Sequence, residues 1–167
     1  RLGEDLRSGQ PTPGNKAGGL STIEEKSLGC MYKAGSSSFK GALDYAQPLP
    51  GDTPGMYFMD TPGQDIDSIT GMVAGGAQVV VFSTGRGTPT GCPIAPVIKI
   101  TGNPETYAKM SDNLDLNAGR VISRGLSISE AGDELFDLLV RVCNGHQTKA
   151  ESLGHREFGI YKLAGTF

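Results

Sequence analysis

The sequence predicts an α/β domain with a mainly parallel sheet, and the order of its central segments carries that prediction. A short apolar strand at Met56–Met59 is followed by an amphipathic helix at Asp65–Ala74 and by an apolar strand at Ala77–Phe82. This strand–helix–strand order favours parallel pairing through a right-handed crossover. Ala95–Thr101 is predicted to form a third strand. With helices on both faces of the sheet, the expected architecture is a three-layer, Rossmann-like domain.

The segments before this centre combine a loop with short helices. Residues 1–22 are predicted to form an extended loop or linker, because Ser8–Gly19 is rich in Pro and Gly. Thr22 and Glu25 match a capping box, which predicts a helix that runs to about Met31. Helical spacing also predicts a helix over the next apolar residues, which are Phe39, Ala42, Leu43 and Ala46.

Two helices and an edge strand are predicted after the third strand. Asn103 is a good N-cap for a short helix that begins at Pro104. Ser127 opens a second capping box, and Gly145 suits the position just after the end of that longer helix. Phe158–Leu163 alternates weakly and is predicted to be an edge strand. The apolar residues of the longer helix that we expect to face the core are Leu135, Leu138, Leu139 and Val142.

Composition indicates a globular domain and excludes several functional classes. Of the 167 residues, 37% are hydrophobic, which is enough for one core, and a single domain over 1–167 is expected. The net charge of −3 argues against a general nucleic-acid-binding surface. No apolar run approaches the length that spans a bilayer. Glycine, with 25 residues, is in excess, which favours tight turns or backbone that lies close to a ligand.

The cysteines and the N-terminal sequence bear on disulfide formation, zinc binding and the expected compartment. Cys30, Cys92 and Cys143 show no CxxC spacing, so they predict neither a disulfide framework nor a zinc ribbon. No signal peptide is visible, and the cytoplasm is the expected compartment. The chain begins with Arg rather than Met, which indicates a piece of a longer protein.

The loop at Ser83–Pro93 is the first candidate functional segment. In open parallel sheets, ligands bind beyond the carboxyl ends of the strands, and this loop directly follows a predicted strand. Arg86 is its only charged residue, and a guanidinium can hold a carboxylate or phosphate through two hydrogen bonds. The alternative is an ordinary glycine-rich surface turn. The loop residues predicted to bind the anion together with Arg86 are Thr84, Gly85, Gly87 and Thr88.

Common nucleotide-binding and hydrolase motifs are missing from the sequence. The glycines between Gly85 and Gly91 have the wrong spacing for GxGxxG, and a proline-containing strand follows them instead of a helix. GxxxxGK[ST] does not occur, and no serine lies in GxSxG. Dinucleotide-binding and P-loop interpretations are therefore weak.

A second candidate group lies in the N-terminal part of the chain. Lys16, Glu24, Glu25 and Lys26 are predicted to supply acid–base chemistry, because neighbouring carboxylates and lysines can act as metal ligand and general base. Glu24 and Glu25 lie about 100° apart on a helix, so only one is expected to face a site. The alternative is that these charges are solvated and that Glu25 only caps its helix.

Three segments resemble one known family. Pro11–Cys30, Val79–Gly91 and Leu114–Gly119 are similar to the C-terminal domain of the altronate and galactarate dehydratases, and the resemblance extends from about Gln10 to Phe167. Two other segments resemble a related branch, the large subunit of sulfolactate sulfo-lyase. They are Pro96–Ile100 and Leu153–Phe158.

The resemblance implies a hydro-lyase that removes water from a hexonate or hexarate to give a 2-keto-3-deoxy acid. It implies a divalent metal, Fe2+ or Mn2+, whose ligands are unknown here and lie partly in N-terminal and middle domains outside this chain. The isolated chain would then be inactive, and homo-oligomerisation is left open. In this interpretation, Lys16 or Lys26 is the base, one glutamate lies near the metal, and the cluster faces the same pocket as Arg86. The loop that brings the cluster there and contributes to substrate binding contains Asn15, Gly18 and Gly19.

Two other functional classes remain open from the sequence. One is a sulfo-lyase of the related branch. The other is a non-catalytic module that binds a small anion or serves oligomerisation, with its glycines used for close packing. Convergence of Arg86 and the segment from Pro11 to Lys26 on one pocket would favour a binding or catalytic role over close packing.

Overall fold

A computed structural model describes residues 10–160, which divide into two compact units. The described part of the first unit comprises residues 10–42 and 50–58, and that of the second comprises 43–49 and 59–160. Within 10–160, no helix is long and apolar enough to cross a bilayer. The single domain expected over 1–167 stays a prediction.

The first unit begins with two helices, α1 at Pro13–Ala17 and α2 at Ile23–Lys33. The one-turn helix α1 lies inside the segment predicted to be a loop, and Pro13 favours its start because proline already has helical φ. The predicted N-cap of α2 is confirmed, since Thr22 Oγ1 accepts the Glu25 N–H at 3.2 Å. The Glu25 carboxylate, however, reaches Ser21.

The helix predicted around Phe39 is wrong. Residues Phe39–Leu43 form strand β1, which pairs with strand β2 at Met56–Met59 in a two-stranded sheet. Four apolar residues with helical spacing are a weak signal, and Gly41 in their midst is a poor helix former. Pairing with a strand that is distant in sequence therefore decides the conformation of this segment.

The second unit contains a three-stranded parallel sheet in the order β3-β4-β5. Its strands are β3 at Val80–Thr84, β4 at Val97–Thr101 and β5 at Leu116–Asn117. In this register, Val80 lies beside Val97 and Ile100 beside Leu116. The helices of this unit are α3 at Asp65–Ala74, α4 at Pro104–Lys109, α5 at Arg120–Ser123, α6 at Ile128–Cys143 and α7 at Lys149–Ser152.

Two apolar clusters on opposite faces of β4 form three layers. Val97 packs with Ile69 of α3 and with Val80 on one face. Its neighbour Ile98 packs with Leu138 and Val142 of α6 on the other face. Alternate strand residues point to opposite faces, so β4 serves both clusters. The predicted α/β class with helices on both faces of a parallel sheet is confirmed.

The central crossover differs from the prediction. Strand β2 belongs to the sheet with β1, so β2, α3 and β3 do not form a unit within one sheet. The parallel neighbours β3 and β4 are instead joined by residues 85–96, which contain no helix. Val81 is 43% exposed although it lies beside the buried Ile98, so the segment predicted to be a buried strand is only partly buried.

Helix ends in the second unit follow the sequence signals closely. Asn103 Oδ1 accepts the Glu105 N–H at 2.9 Å, and a complete capping box joins Ser127 and Glu130. Gly145 has φ of +93° just after α6, a conformation that glycine adopts without strain. Residues 158–160 form no strand, and the rest of the edge strand predicted to reach Leu163 lies outside the described residues.

Replacement of Leu138 by Ala tests the packing of α6. Leu138 is 8% exposed between Ile98 and Val142, so we expect Leu138→Ala to lower the free energy of unfolding by about 2–4 kcal/mol. The neighbouring Asp137 is exposed, and Asp137→Ala should change it by less than about 0.5 kcal/mol. Chemical denaturation of both variants measures the difference, and equal effects would contradict this packing.

Candidate functional site

The first half of the loop after β3 is anchored to helix α4. Thr84 Oγ1 accepts the Gly87 N–H at 3.0 Å, and Thr106 Oγ1 donates to the Gly85 carbonyl at 2.8 Å. Gly87 has φ of +82°, and a Cβ there would collide with the sulfur of Met110. Glycine is favoured here chiefly because other residues rarely adopt this positive φ, since the flexible end of the Met110 side chain can shift.

The second half of the loop is fixed by hydrogen bonds with strand β4 and with the segment after α7. The hydroxyls of Thr88 and Thr90 are buried and lie 2.8 Å apart in a hydrogen bond. Lys99 Nζ donates to the Pro89 carbonyl at 2.8 Å, and the Gly91 N–H donates to Glu157 Oε2 at 2.9 Å. Strand β4 and the segment after α7 thus both stabilise the loop conformation.

Arg86 lies exposed between these two anchored halves. Its guanidinium makes no hydrogen bond or ion pair with any residue of 10–160. Thr84, Gly87 and Thr88, in contrast, use polar groups inside the loop. The result is a free cation on a well-supported loop that follows β3, which is the geometry expected of an anion receptor. Direct binding by the Gly87 amide stays a prediction, and it requires the bond to Thr84 to open.

Lys99 is the main residue of the site that sequence reasoning missed. It lies in the middle of β4, and its side chain is 0% exposed. Burial lowers the pKa of Lys99, and the carboxylates of Asp115 and Glu157 act in the opposite direction. A single lysine within an otherwise apolar strand was the available signal, since an ammonium is rarely buried without partners.

The N-terminal cluster lies on α1 and α2 in the first unit. Lys26 Nζ donates to Gln10 Oε1 at 3.1 Å, whereas Lys16 and Glu24 are exposed and make no side-chain hydrogen bond with the described residues. The bonds from the Ser21 side chain and backbone hold the pKa of Glu25 below its usual range. These contacts give Glu25 a local role at the start of its helix.

The loop predicted to position this cluster is a tight turn between the two helices. The Asn15 carbonyl accepts the Leu20 N–H at 3.0 Å, and Gly18 caps the end of α1. Gly19 has φ of +103°, which glycine tolerates best. That this turn, the cluster and Arg86 share one pocket stays a prediction.

The grouping of donor side chains decides whether the described residues can hold a metal ion. Among residues 10–160, no three His, Cys, Asp or Glu side chains are grouped so that they could hold a metal ion. Residues 10–160 therefore do not supply a three-ligand metal site by themselves.

Comparison with known proteins identifies one family over almost the whole length. Residues 1–166 match the family described as D-galactarate/altronate dehydratase, C-terminal. The chain is 44% identical over 160 residues to (2R)-sulfolactate sulfo-lyase subunit beta of Chromohalobacter salexigens, which covers 95% of the chain and 41% of that relative.

Dehydratases match over a similar part of the chain. It is 42% identical over 156 residues to altronate dehydratase of Escherichia coli, covering 93% of the chain and 31% of that protein. It is 36% identical over 168 residues to galactarate dehydratase (L-threo-forming) of Escherichia coli, covering 98% of the chain and 31% of that protein. The chain thus spans about a third to two fifths of the length of these relatives.

The contact between Glu157 and the loop should make stability depend on pH. Burial raises the pKa of Glu157, but hydrogen bonds from the Gly91 N–H and from His155 outweigh it, and the net pKa is lowered. A lowered carboxyl pKa contributes stability above its unfolded value of about 4.3 and loses that contribution as the pH falls through the folded value.

Glu157→Gln should therefore flatten the acid part of the stability profile. We expect the wild-type advantage over this variant to be present at neutral pH and to shrink on acidification, as measured by denaturation at a series of pH values. Glu105 is exposed and makes no side-chain hydrogen bond in the described structure, so Glu105→Gln is the matched control. A constant difference between wild type and Glu157→Gln across acidic pH would refute this linkage.

Proposed function

The chain belongs to the D-galactarate/altronate dehydratase C-terminal family, and on that premise we propose that it is the last domain of a longer sugar-acid dehydratase. The proposed reaction removes water from a hexonate or hexarate and yields a 2-keto-3-deoxy acid. The part of each relative that the chain does not cover leaves room for N-terminal and middle domains, which are the proposed partners of this one. The cytoplasm remains the proposed compartment.

The observation that carries this proposal is the free guanidinium of Arg86 on its anchored loop. A sugar acid presents a carboxylate, whose two oxygens match the fork of an arginine. Because Thr106 and Lys99 hold the loop backbone, little ordering would be needed when the substrate binds. Arg86 is thus proposed to hold the carboxylate next to the carbon that loses its proton.

Acid–base chemistry is proposed for the N-terminal cluster. A proton beside a carboxylate is weakly acidic, so its removal needs a base and stabilisation of the negative charge that develops. Lys16 and Lys26 are the proposed bases. Lys26 is half-buried with a bond to Gln10, whereas Lys16 is exposed. Glu24, which has no partner in the described structure, is freer to act than Glu25, whose carboxylate accepts from Ser21.

A divalent metal, Fe2+ or Mn2+, is proposed to be held largely by parts of the enzyme outside this chain. The lack of a three-ligand group within the part of the chain that the structure describes supports this proposal. The isolated chain is accordingly expected to be inactive.

A sulfolactate sulfo-lyase is the second candidate function. The sulfo-lyase subunit is as similar to the chain as the altronate dehydratases are, and the chain covers a larger share of it. The two reactions both begin with an acidic carbon beside a carboxylate and differ in the leaving group, so Arg86 would have the same role. Assay of the full-length protein with altronate, galactarate and sulfolactate, each with Fe(II) and Mn(II), distinguishes them. Binding without turnover of any of the three would favour a non-catalytic module.

Replacement of Arg86 tests the carboxylate contact. In the full-length enzyme, we expect Arg86→Ala to lower kcat/KM by at least ~100-fold, because the charge-assisted contact is lost. Arg86→Lys should restore only part of it, since an ammonium lacks the planar fork. Arg141 is exposed and has no partner in the described structure, so Arg141→Ala is the control. An Arg86→Ala enzyme with wild-type kcat/KM would remove this role.

Replacement of each lysine in turn identifies the base. We expect either Lys16→Met or Lys26→Met to abolish exchange of the substrate α-proton with deuterated solvent, while the other variant retains it. Folding is checked for both by circular dichroism. If both variants exchange the proton at the wild-type rate, neither lysine is the base.

A further inference from the structure

A cavity of about 680 Å³ in the second unit lies beside a different face of α4 from the Arg86 loop. Thr106 and Met110 of this helical segment approach the loop, whereas Tyr107 lines the cavity. The far wall is formed by β5 and α5, including Asn117 and Arg124. The volume lies within the range of pockets that hold small molecules.

The two arginines that line the cavity differ in the partners of their guanidinium groups. Arg120 Nε donates to the Asn117 carbonyl at 3.1 Å, and its guanidinium pairs with Glu134. The Arg124 backbone N–H donates to the Arg120 carbonyl at 2.9 Å, but its guanidinium makes no hydrogen bond or ion pair with any residue in 10–160. Arg120 is thus committed to the protein, whereas the Arg124 cation is available to a ligand.

The one carboxylate in the lining does not compete for Arg124. Asp115 Oδ2 accepts the Lys99 N–H at 2.7 Å, and its Oδ1 accepts the Lys149 N–H at 2.9 Å. Both oxygens therefore bind backbone amides on the protein side of the wall. A carboxylate held in this way makes no ion pair with Arg124, so the Arg124 guanidinium keeps its donors for a ligand.

Two further polar groups of the lining lack partners in the described structure. Asn117 Oδ1 is buried and accepts no hydrogen bond, which is unusual for a buried acceptor and calls for an explanation. The hydroxyl of Tyr107 likewise makes no hydrogen bond there. The Asn117 oxygen is shielded from solvent, so the Tyr107 hydroxyl is the group that a ligand in the cavity reaches. A molecule that carries hydroxyl groups would supply the partner that this hydroxyl lacks.

Close packing holds the walls of the cavity at a defined spacing. The Gly119 N–H donates to the Thr101 carbonyl at 3.1 Å, which fixes the turn from β5 to α5. A Cβ at Gly119 would lie 2.7 Å from atoms of Pro104 and 2.8 Å from the Gly102 carbonyl oxygen. The start of α5 is therefore pressed against the start of α4, and the cavity lies between preorganised walls.

We propose that this cavity binds a small hydroxylated carboxylate, with the carboxylate on Arg124 and a hydroxyl group towards Tyr107. The inference rests on the cavity residues alone and does not depend on the proposed dehydratase activity. It assigns to this domain a second anion site, separate from Arg86. The Arg124 fork suits any oxyanion, whereas the unpartnered Tyr107 hydroxyl favours a ligand that also carries a hydroxyl group.

The test is calorimetric titration of the full-length protein with tartrate, a small hydroxylated dicarboxylate. An Arg86→Met background removes binding at the loop, and Arg124→Met or Arg141→Met is added to it. We expect Arg124→Met to weaken tartrate binding by at least ~10-fold and Arg141→Met to leave it unchanged. Circular dichroism and the thermal midpoint show that each variant is folded, as expected for two exposed arginines without partners in the described structure.

Comparison of ligands and a second variant sharpen the test. Tartrate should bind more tightly than succinate and inorganic phosphate, and Tyr107→Phe should reduce the preference for tartrate over succinate. Wild-type protein that does not bind tartrate at millimolar concentration, or equal affinities of the Arg124→Met and Arg141→Met proteins, would overturn the site. Equal affinity for tartrate and phosphate would overturn the hydroxylated ligand class.

Discussion

The buried ammonium of Lys99 is the interaction on which the second unit depends. A buried cation is costly unless polar groups surround it, and the Pro89 carbonyl meets that need at 2.8 Å. The backbone N–H of the same residue binds Asp115, whose second oxygen accepts the Lys149 N–H. Strand β4, the segment at β5, helix α7 and the loop after β3 are thereby joined through Lys99 and Asp115. Loss of the Lys99 contact would remove one of the hydrogen bonds that fix the loop that carries Arg86.

The second unit carries two arginines whose guanidinium groups have no partner in the described structure, and each lies in a different structural setting. Arg86 lies on a loop that Thr106 and Lys99 hold in place, and Arg124 lies at the end of α5 beside the cavity. Helix α4 contributes to both places through different faces. Altered α4 packing would then affect both arginines.

The excess of glycine has specific structural causes at a few positions. Gly87 combines a positive φ with contact to Met110, and Gly119 lies directly against Pro104 and the Gly102 carbonyl. Gly91 has no space for a Cβ beside the backbone oxygen of His155. In each case a backbone segment of the loop or of the cavity wall approaches its neighbour more closely than any side chain permits. These glycines thus help to position the loop that carries Arg86 and the wall that faces the cavity.

The sequence by itself determined the features that depend on neighbouring residues. Periodicity and caps located α3, α4 and α6, and the lone arginine between glycines marked a loop whose guanidinium has no partner among the described residues. The tertiary structure alone decided that Phe39–Leu43 is a strand, that β2 pairs with β1, and that Lys99 is buried. It alone assembled the cavity from α4, β5 and α5. Helical hydrogen bonds and caps join residues a few positions apart, whereas strand pairing and burial depend on contacts between segments that are distant in sequence.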